Sequence, residues 1–293
     1  MDSDLRTRLA GDARQGGACG AGGLAVFRRT VIDHYQKHGR DLPWRRTRDP
    51  YRVLVSEVML QQTQVNRVLR KYDHFLFAFP DAPSLARAGV AEILSLWQGL
   101  GYNRRALALR GAAQIIVSRH GGAVPPSPAA LQDLPGIGAA TAAAVCVFAF
   151  DQPLAFVETN IRSAFIHFFF QECDSVADAE ILPLVALTLD RENPREWYYA
   201  LMDYGAWVKK AYDNPGRRSR HFAIQAPFAG SRRQARAAIL RLLLARAPAA
   251  LTAGDVQREA FVAGRDPAEI DGILEELAGE GFLLRVEKGY RVA

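Results

Sequence analysis

Leu134-Pro135-Gly136-Ile137-Gly138 stands between two stretches of helical periodicity, Pro128 to Asp133 and Ala139 to Phe150. Two glycines flanking an aliphatic residue let the backbone turn tightly and approach another molecule closely. The helix opening near Ala139 presents unpaired N–H groups that suit a phosphate oxygen. An ordinary helix–helix turn with glycines for packing reads the same way. Working outward, the periodicity from Leu24 to about Ala211 is nearly all helical. Val26, Val31, Ile32 and Tyr35 make one amphipathic face; Val53 to Phe77 gives a long helical stretch of one or two helices; Ala91 to Trp97 and Arg104 to Arg119 supply more. Pro80, Pro83, Pro125, Pro126, Pro128 and Pro135 punctuate the boundaries. No alternation of period two precedes the C-terminal region, so residues 24–211 are predicted to be all-α.

Both flanks differ from this core. Residues 1–23 hold six of the 24 glycines and no apolar periodicity, which predicts a disordered tail. Residues 212–230 break the periodicity and are predicted to be a basic linker. Over residues 231–293 a helix is expected from Arg232 to Arg246, with Ile239, Leu240, Leu243 and Leu244 inward. Thr252 can cap a second helix with Asp255 near the capping-box position, and Asp266-Pro267 starts a third. Phe282 to Val286 and Tyr290 to Val292 alternate around Glu287-Lys288-Gly289, a hairpin signal. Three helices followed by a hairpin predict a small winged-helix (α+β) domain. Such domains bind DNA or serve as protein–protein modules.

The 293 residues are 49% hydrophobic and 23% charged, a soluble globular composition that excludes wholesale disorder. No apolar stretch reaches the roughly 20 residues that span a membrane, and the N-terminal stretch lacks the apolar core of a secretory signal. Cys19, Cys146 and Cys173 show no CxxC spacing, which argues against a disulfide framework and a thiolate metal cluster. The expected address is the cytoplasm of a bacterial-type cell, associated with the nucleoid. The net charge is +6. Its distribution says more: between Lys209 and Arg246 there are ten Lys/Arg residues and one acid, Asp213. That asymmetry favours a polyanion, the alternative being a solvated linker.

Two acidic residues carry the chemical reading. Glu57 lies among Val55, Val58, Met59 and Leu60. Apolar surroundings disfavour its ionised form and raise its pKa, a property suited to a general acid. Glu158 precedes the helix-start pair Thr159-Asn160, so it stands at a helix N-terminus where the dipole favours the carboxylate. One carboxyl kept protonated and one kept ionised is the division of labour of glycosidic-bond enzymes. Gln61, Gln62 and Gln64 follow closely and suit base edges or a surface equally.

Five blocks in order resemble the helix-hairpin-helix DNA glycosylase superfamily, and within it most closely the adenine-specific mismatch glycosylases. They are Leu42-Pro43-Trp44-Arg45, Ser56 to Val65, Leu96 to Tyr102, Leu134 to Gly138, and Asp203-Tyr204-Gly205-Ala206. The resemblance implies a mostly α, two-lobed fold over residues 24–211. It also implies base excision repair: hydrolysis of the bond to an adenine opposite guanine or 8-oxoguanine after base flipping. By the same resemblance Glu57 is the general acid, Asn160 positions the water and the catalytic carboxylate, and Glu158 is that carboxylate. Gln62 is the wedge, Tyr102 contacts the opposite base, and Leu42, Trp44 and Arg45 line the base pocket. Gly136 and Gly138 hold a phosphate, and the hairpin carbonyls commonly bind a monovalent cation. The partner implied is double-stranded DNA with a mismatch or lesion, bound by a monomer without a membrane.

Four departures qualify those expectations. Glu158 stands where the family usually has Asp, and the extra methylene moves the carboxylate by roughly 1.5 Å, where ~1 Å can cost ~100-fold in rate. The family's four-cysteine iron–sulfur site after the Asp203 block is missing: Lys209 stands at its first cysteine and no cysteine follows Cys173. No resident metal or cluster is therefore expected. The family's 8-oxoguanine-reading domain is not recognisable and the predicted winged helix stands in its place. Ala140 fills the position of the nucleophilic Lys of glycosylase/lyases, so no lyase activity is expected. The alternatives are release of thymine, uracil or a damaged base by the same fold, and non-catalytic binding of damaged or branched DNA.

Overall fold

The computed structural model describes residues 21–260 and 265–293. The tail predicted over residues 1–23 lies outside them as far as residue 20. Its last three residues already belong to helix α1, Ala21–His38. Gly22 and Gly23 sit in the first turn, where backbone N–H groups are unpaired in any helix and glycine costs little.

The described residues cluster into two compact units: residues 21–57, 126–133 and 137–223, and residues 58–125, 134–136, 224–260 and 265–293. The first holds α1, a 3-10 turn Pro43–Arg45, the start of α2 (Pro50–Leu60), α8 (Pro128–Gln132), α9 (Ala139–Phe150), α10 (Thr159–Phe169), α11 (Asp178–Thr188) and α12 (Pro194–Ala211). The second holds the end of α2, α3 (Val65–Leu69), α4 (Tyr72–Ala78), α5 (Ala82–Arg87), α6 (Val90–Trp97) and α7 (Arg104–His120). It also holds α13 (Arg232–Arg246), α14 (Ala253–Glu259), α15 (Pro267–Gly279) and the strands β1 (Leu283–Val286) and β2 (Gly289–Val292). The fold is mostly α with one small strand pair, and no helix among the described residues is long and apolar enough to cross a membrane.

Local chemistry explains the elements that matter. Asp49 Oδ1 accepts from the N–H groups of Tyr51 (2.9 Å) and Arg52 (3.2 Å), with Pro50 at the first position, so α2 starts where Asp-Pro dictates. It ends because Gln62 turns to φ 52°, a left-handed conformation that stops a helix. The stretch Val53 to Phe77 is therefore three helices rather than one or two. In the C-terminal region Thr252 forms a capping box with Asp255, Asp266 caps α15, and β1 pairs antiparallel with β2 in the register Leu283↔Val292.

Two boundaries differ from expectation. Residues 224–293 belong to the same unit as residues 58–125: α13 packs on α6, and Arg104 pairs with Glu280 at 2.6 Å. The segment expected as a linker is fastened in its first half. Arg218 donates to the carbonyls of Phe170 and Gln171 at the end of α10, and Val176 bridges Ser219. Such bonds to distant carbonyls leave no trace in local periodicity.

The core of the first unit is aromatic. Phe27 is fully buried, its ring within 5.1 Å of Phe165, Phe168 and Phe169, and Trp197 lies at 6.1 Å. Against this core α12 approaches α10 so closely at Gly205 that a Cβ would overlap the carbonyl oxygen of Asn160. Only glycine fits there. Gly205→Ala is expected to cost about 3 kcal/mol or to prevent folding, read as the thermal midpoint; a wild-type midpoint would contradict this packing.

Candidate active site

Helix α10 begins with Glu158 itself as its N-cap, at φ −124° and ψ 176°. Its Oε1 accepts from the backbone N–H groups of Asn160 (2.6 Å) and Ile161 (2.7 Å). Its Oε2 accepts from Asn160 Nδ2 at 3.1 Å. The longer side chain folds back onto its own helix, and the side-chain amide of Asn160 fixes its second oxygen. Burial raises the Glu158 pKa; the Ile161 N–H, Lys209, the Asn160 N–H and Arg162 all pull against that rise.

Glu57 lies on α2 beside Val53, Leu54, Val55 and Val58, all buried. It keeps part of its surface open, yet protein crowds the carboxyl enough to push its pKa up to about 8. Burial is the largest cause; the negative charge of Glu158 adds to it and Arg45 opposes it. The two carboxyls thus feel one another within a single unit. Glu158 is held by helix-terminal donors and Glu57 is not, so the proton goes to Glu57.

A rigid frame stands behind the pair. Asp203, on α12, accepts from Arg45 Nη1 (2.8 Å) and Nη2 (2.7 Å), from Arg40 Nε (2.6 Å) and from the Arg40 N–H (2.7 Å). Burial alone would raise the Asp203 carboxyl, but these bonds hold it low. The Arg45 guanidinium also stacks over Tyr199 at 4.5 Å. Arg195 donates to the carbonyls of Phe148 (2.7 Å) and Arg45 (2.8 Å), tying the end of α9 to the 3-10 turn. Leu42 and Trp44 are buried in this packing. Of the three residues expected to line a base pocket, two are core and the third is committed to Asp203.

The hairpin residues divide between the units. Gly136 takes φ 78°, and a Cβ there would come within 2.8 Å of Ala108 Cβ, so glycine is required twice over. Its carbonyl accepts from Gln61 Nε2 at 3.1 Å, which competes with any cation at that oxygen. Gly138 is the N-cap of α9 with no side-chain cap, and the space beside it is open. The exposed N-terminus of α9 thus offers unpaired N–H groups to an anion.

In the second unit, Gln62 and Tyr102 are both exposed and both left-handed, at φ 52° and 49°. Strain of this kind at non-glycine residues persists only where the surroundings enforce it. Arg105 is the enforcer. Its Nη1 donates to the carbonyls of Val58 (2.9 Å), Met59 (3.0 Å) and Gln61, and its Nη2 to Thr63 Oγ1 (2.8 Å) and the Gly101 carbonyl (2.9 Å). Sequence reading stopped at Tyr102 and missed it; an arginine four residues past the second glycine of the Gly99–Gly101 turn was the signal.

No group of three or more His, Cys, Asp or Glu among the described residues could hold a metal ion. The segment after α12 does not fit the four-cysteine cluster of the family it resembles. Lys209 closes the helix, and Arg218, not thiolates, secures the segment on backbone carbonyls. Cys146 is buried and Cys173 exposed, far apart in sequence and with no third thiol among the described residues.

Residues 55–180 match the family described as HhH-GPD superfamily base excision DNA repair protein. An adenine DNA glycosylase of Mycolicibacterium smegmatis is 39% identical over 180 residues, 61% of this chain and 61% of that protein. The chain spans about three fifths of the length of the curated relatives it matches first. Among solved structures, a thermostable thymine-DNA glycosylase aligns with a TM-score of 0.56 at 28% identity, over 62% of this chain and 86% of that one. A trapped endonuclease III–DNA covalent intermediate aligns with a TM-score of 0.55 at 16% identity, over 72% and 92%, a likeness of fold.

Arg105→Lys keeps the charge but not the fork, leaving several carbonyls unpaired at about 1–3 kcal/mol each. Amide hydrogen exchange at residues 61–63 and 99–102 is expected to accelerate at least 10-fold. Unchanged protection would contradict the clamp.

Proposed function

We propose that this chain, whose residues 55–180 match the HhH-GPD superfamily of base excision DNA repair proteins, is a monofunctional DNA glycosylase. Its substrate is adenine mispaired with guanine or an oxidised guanine in duplex DNA, acted on by a monomer after the base is flipped out. One observation carries the reading. Two carboxyls share an unequal site, Glu57 with a pKa near 8 and Glu158 clamped on a helix N-terminus.

Glu57 delivers its proton to the adenine, the C1′–N bond breaks, and the electron pair leaves with the base. The positive charge left on the sugar is stabilised by the Glu158 carboxylate, whose Oε2 accepts from the Asn160 side-chain amide. Water adds at C1′ and gives up its proton to the ionised pair. Ala140, exposed at the second position of α9, offers no amine for a Schiff base, so the strand stays intact. Gln62 serves as the wedge and Tyr102 as the contact to the opposite base, both pre-set by Arg105. Gly138 and the N-terminus of α9 receive a phosphate, as does the backbone around Gly136. Residues 231–293 are a winged-helix-like region built on the second unit. The reading has no step through an iron–sulfur cluster.

The test is single-turnover base release from duplexes carrying A·G, A·8-oxoG, T·G and U·G pairs. Wild type is expected to release adenine, Glu57→Gln to be about 100- to 10,000-fold slower, and Glu158→Gln about 100- to 1,000-fold slower. The rate falls as pH rises through about 8, where Glu57 loses its proton, and falls again in acid, where Glu158 gains one. Release of thymine in place of adenine overturns the base assignment. A rate indifferent to Glu57→Gln overturns the mechanism.

A further inference from the structure

The second unit contains a groove of about 1290 Å³, one wall of which is the Gln62 and Tyr102 turns and the other helix α13. Its charge is unbalanced: seven arginines line it against two acids, Glu276 and Glu280. Those acids are already spent. Glu280 pairs with Arg104 and Arg236, each at 2.6 Å, and Glu276 with Arg232 (2.7 Å) and Arg236 (2.9 Å). Arg105 is consumed by the two turns. Arg67 and Arg241 make no ion pair with any described residue, and Arg233 bonds only to neutral acceptors, Gln225 Oε1 at 3.2 Å and the Ala226 carbonyl.

Aromatic faces accompany the charge. Tyr102 is 41% exposed and Phe228 56% exposed, both on the groove. The two walls are joined by one relay: Gln225 donates to the Tyr102 hydroxyl and accepts from Arg233. Uncompensated guanidinium groups beside exposed rings are the chemistry of a strand whose phosphates and bases alternate.

We propose that this groove extends the nucleic-acid contact beyond the wedge, with Arg67, Arg233 and Arg241 taking backbone phosphates and Phe228 meeting a base beside Tyr102. The α13 residues lie outside the 55–180 family match, so this wall is particular to the C-terminal region of the chain. The site rests on the proposed action on DNA and adds to it. The segment from 224 onward holds substrate through the same turns that carry the wedge, and does so by charge.

The experiment measures affinity of the full chain for a fluorescent A·G duplex across a salt series, in a Glu57→Gln background that leaves the base in place. Each lost phosphate contact lowers the slope of log K against log salt by about 0.9. Arg67→Ala/Arg241→Ala removes no intramolecular bond between described residues. It is expected to weaken binding about 10-fold or more and to lower the slope by about two. Arg67→Lys/Arg241→Lys restores the slope. Arg285→Ala, at a residue paired with Glu275 and outside the groove, keeps affinity within about two-fold of the parent. An alanine pair with the parental slope and affinity overturns the groove. Wild-type base release, measured on the same duplex, reports separately on the glycosylase reading. Lost release with a slope that still falls by two leaves the groove standing.

Discussion

Burial lifts the Glu57 carboxyl, the negative charge of Glu158 adds to that lift, and the fold decides which of the two keeps the proton. A helix N-terminus makes the choice. Glu158 satisfies the first free N–H groups of α10, so its negative charge is matched where it stands. Glu57, on a helix whose other inward residues are apolar, has no such donors. The rest of the first unit serves to keep that inequality. Gly205 brings α12 onto the Asn160 carbonyl, and Asp203 holds Arg45 and Arg40 in place. Arg45 stabilises the ionised form of Glu57 too weakly to reverse the order.

The departures from the resembling family fall around this centre. An aspartate at position 158 would reach the same N–H groups with a shorter side chain. The glutamate bends back to do so, which turns its extra length into capping rather than reach. Lys209 puts a positive charge near Glu158 from the last turn of α12, where it helps oppose the rise that burial causes. The following segment is secured by Arg218 at the C-terminal end of α10, a position where a cation also suits the helix dipole.

Much of this was legible in the sequence, for physical reasons that differ between elements. Thr252-Asp255 and Asp266-Pro267 announce helix starts through bonds within three residues, and those starts lie where expected; Asp49-Pro50 starts α2 by the same kind of bond, three residues before the expected Val53. Glu158 before Thr159-Asn160 is the same kind of local signal. Glu57 was readable because its neighbours in sequence are also its neighbours in space. Arg105 and Arg218 were not, because their partners are backbone carbonyls about 40 to 50 residues away and a carbonyl carries no sequence identity. The break at Gln62 escaped notice for a related reason: its left-handed backbone is imposed from Arg105, not by a glycine. The grouping of residues 224–293 with residues 58–125 depends on helix packing and ion pairs such as Arg104–Glu280, which no local pattern records.

The most direct measurement is a site-resolved titration of the glutamate carboxyls by carbon-13 NMR, with Glu57→Gln supplying the assignment. The unequal pair requires one carboxyl resonance that titrates near pH 8 and vanishes in the variant. A Glu57 resonance titrating near its ordinary value of 4.5 would contradict the account at its root.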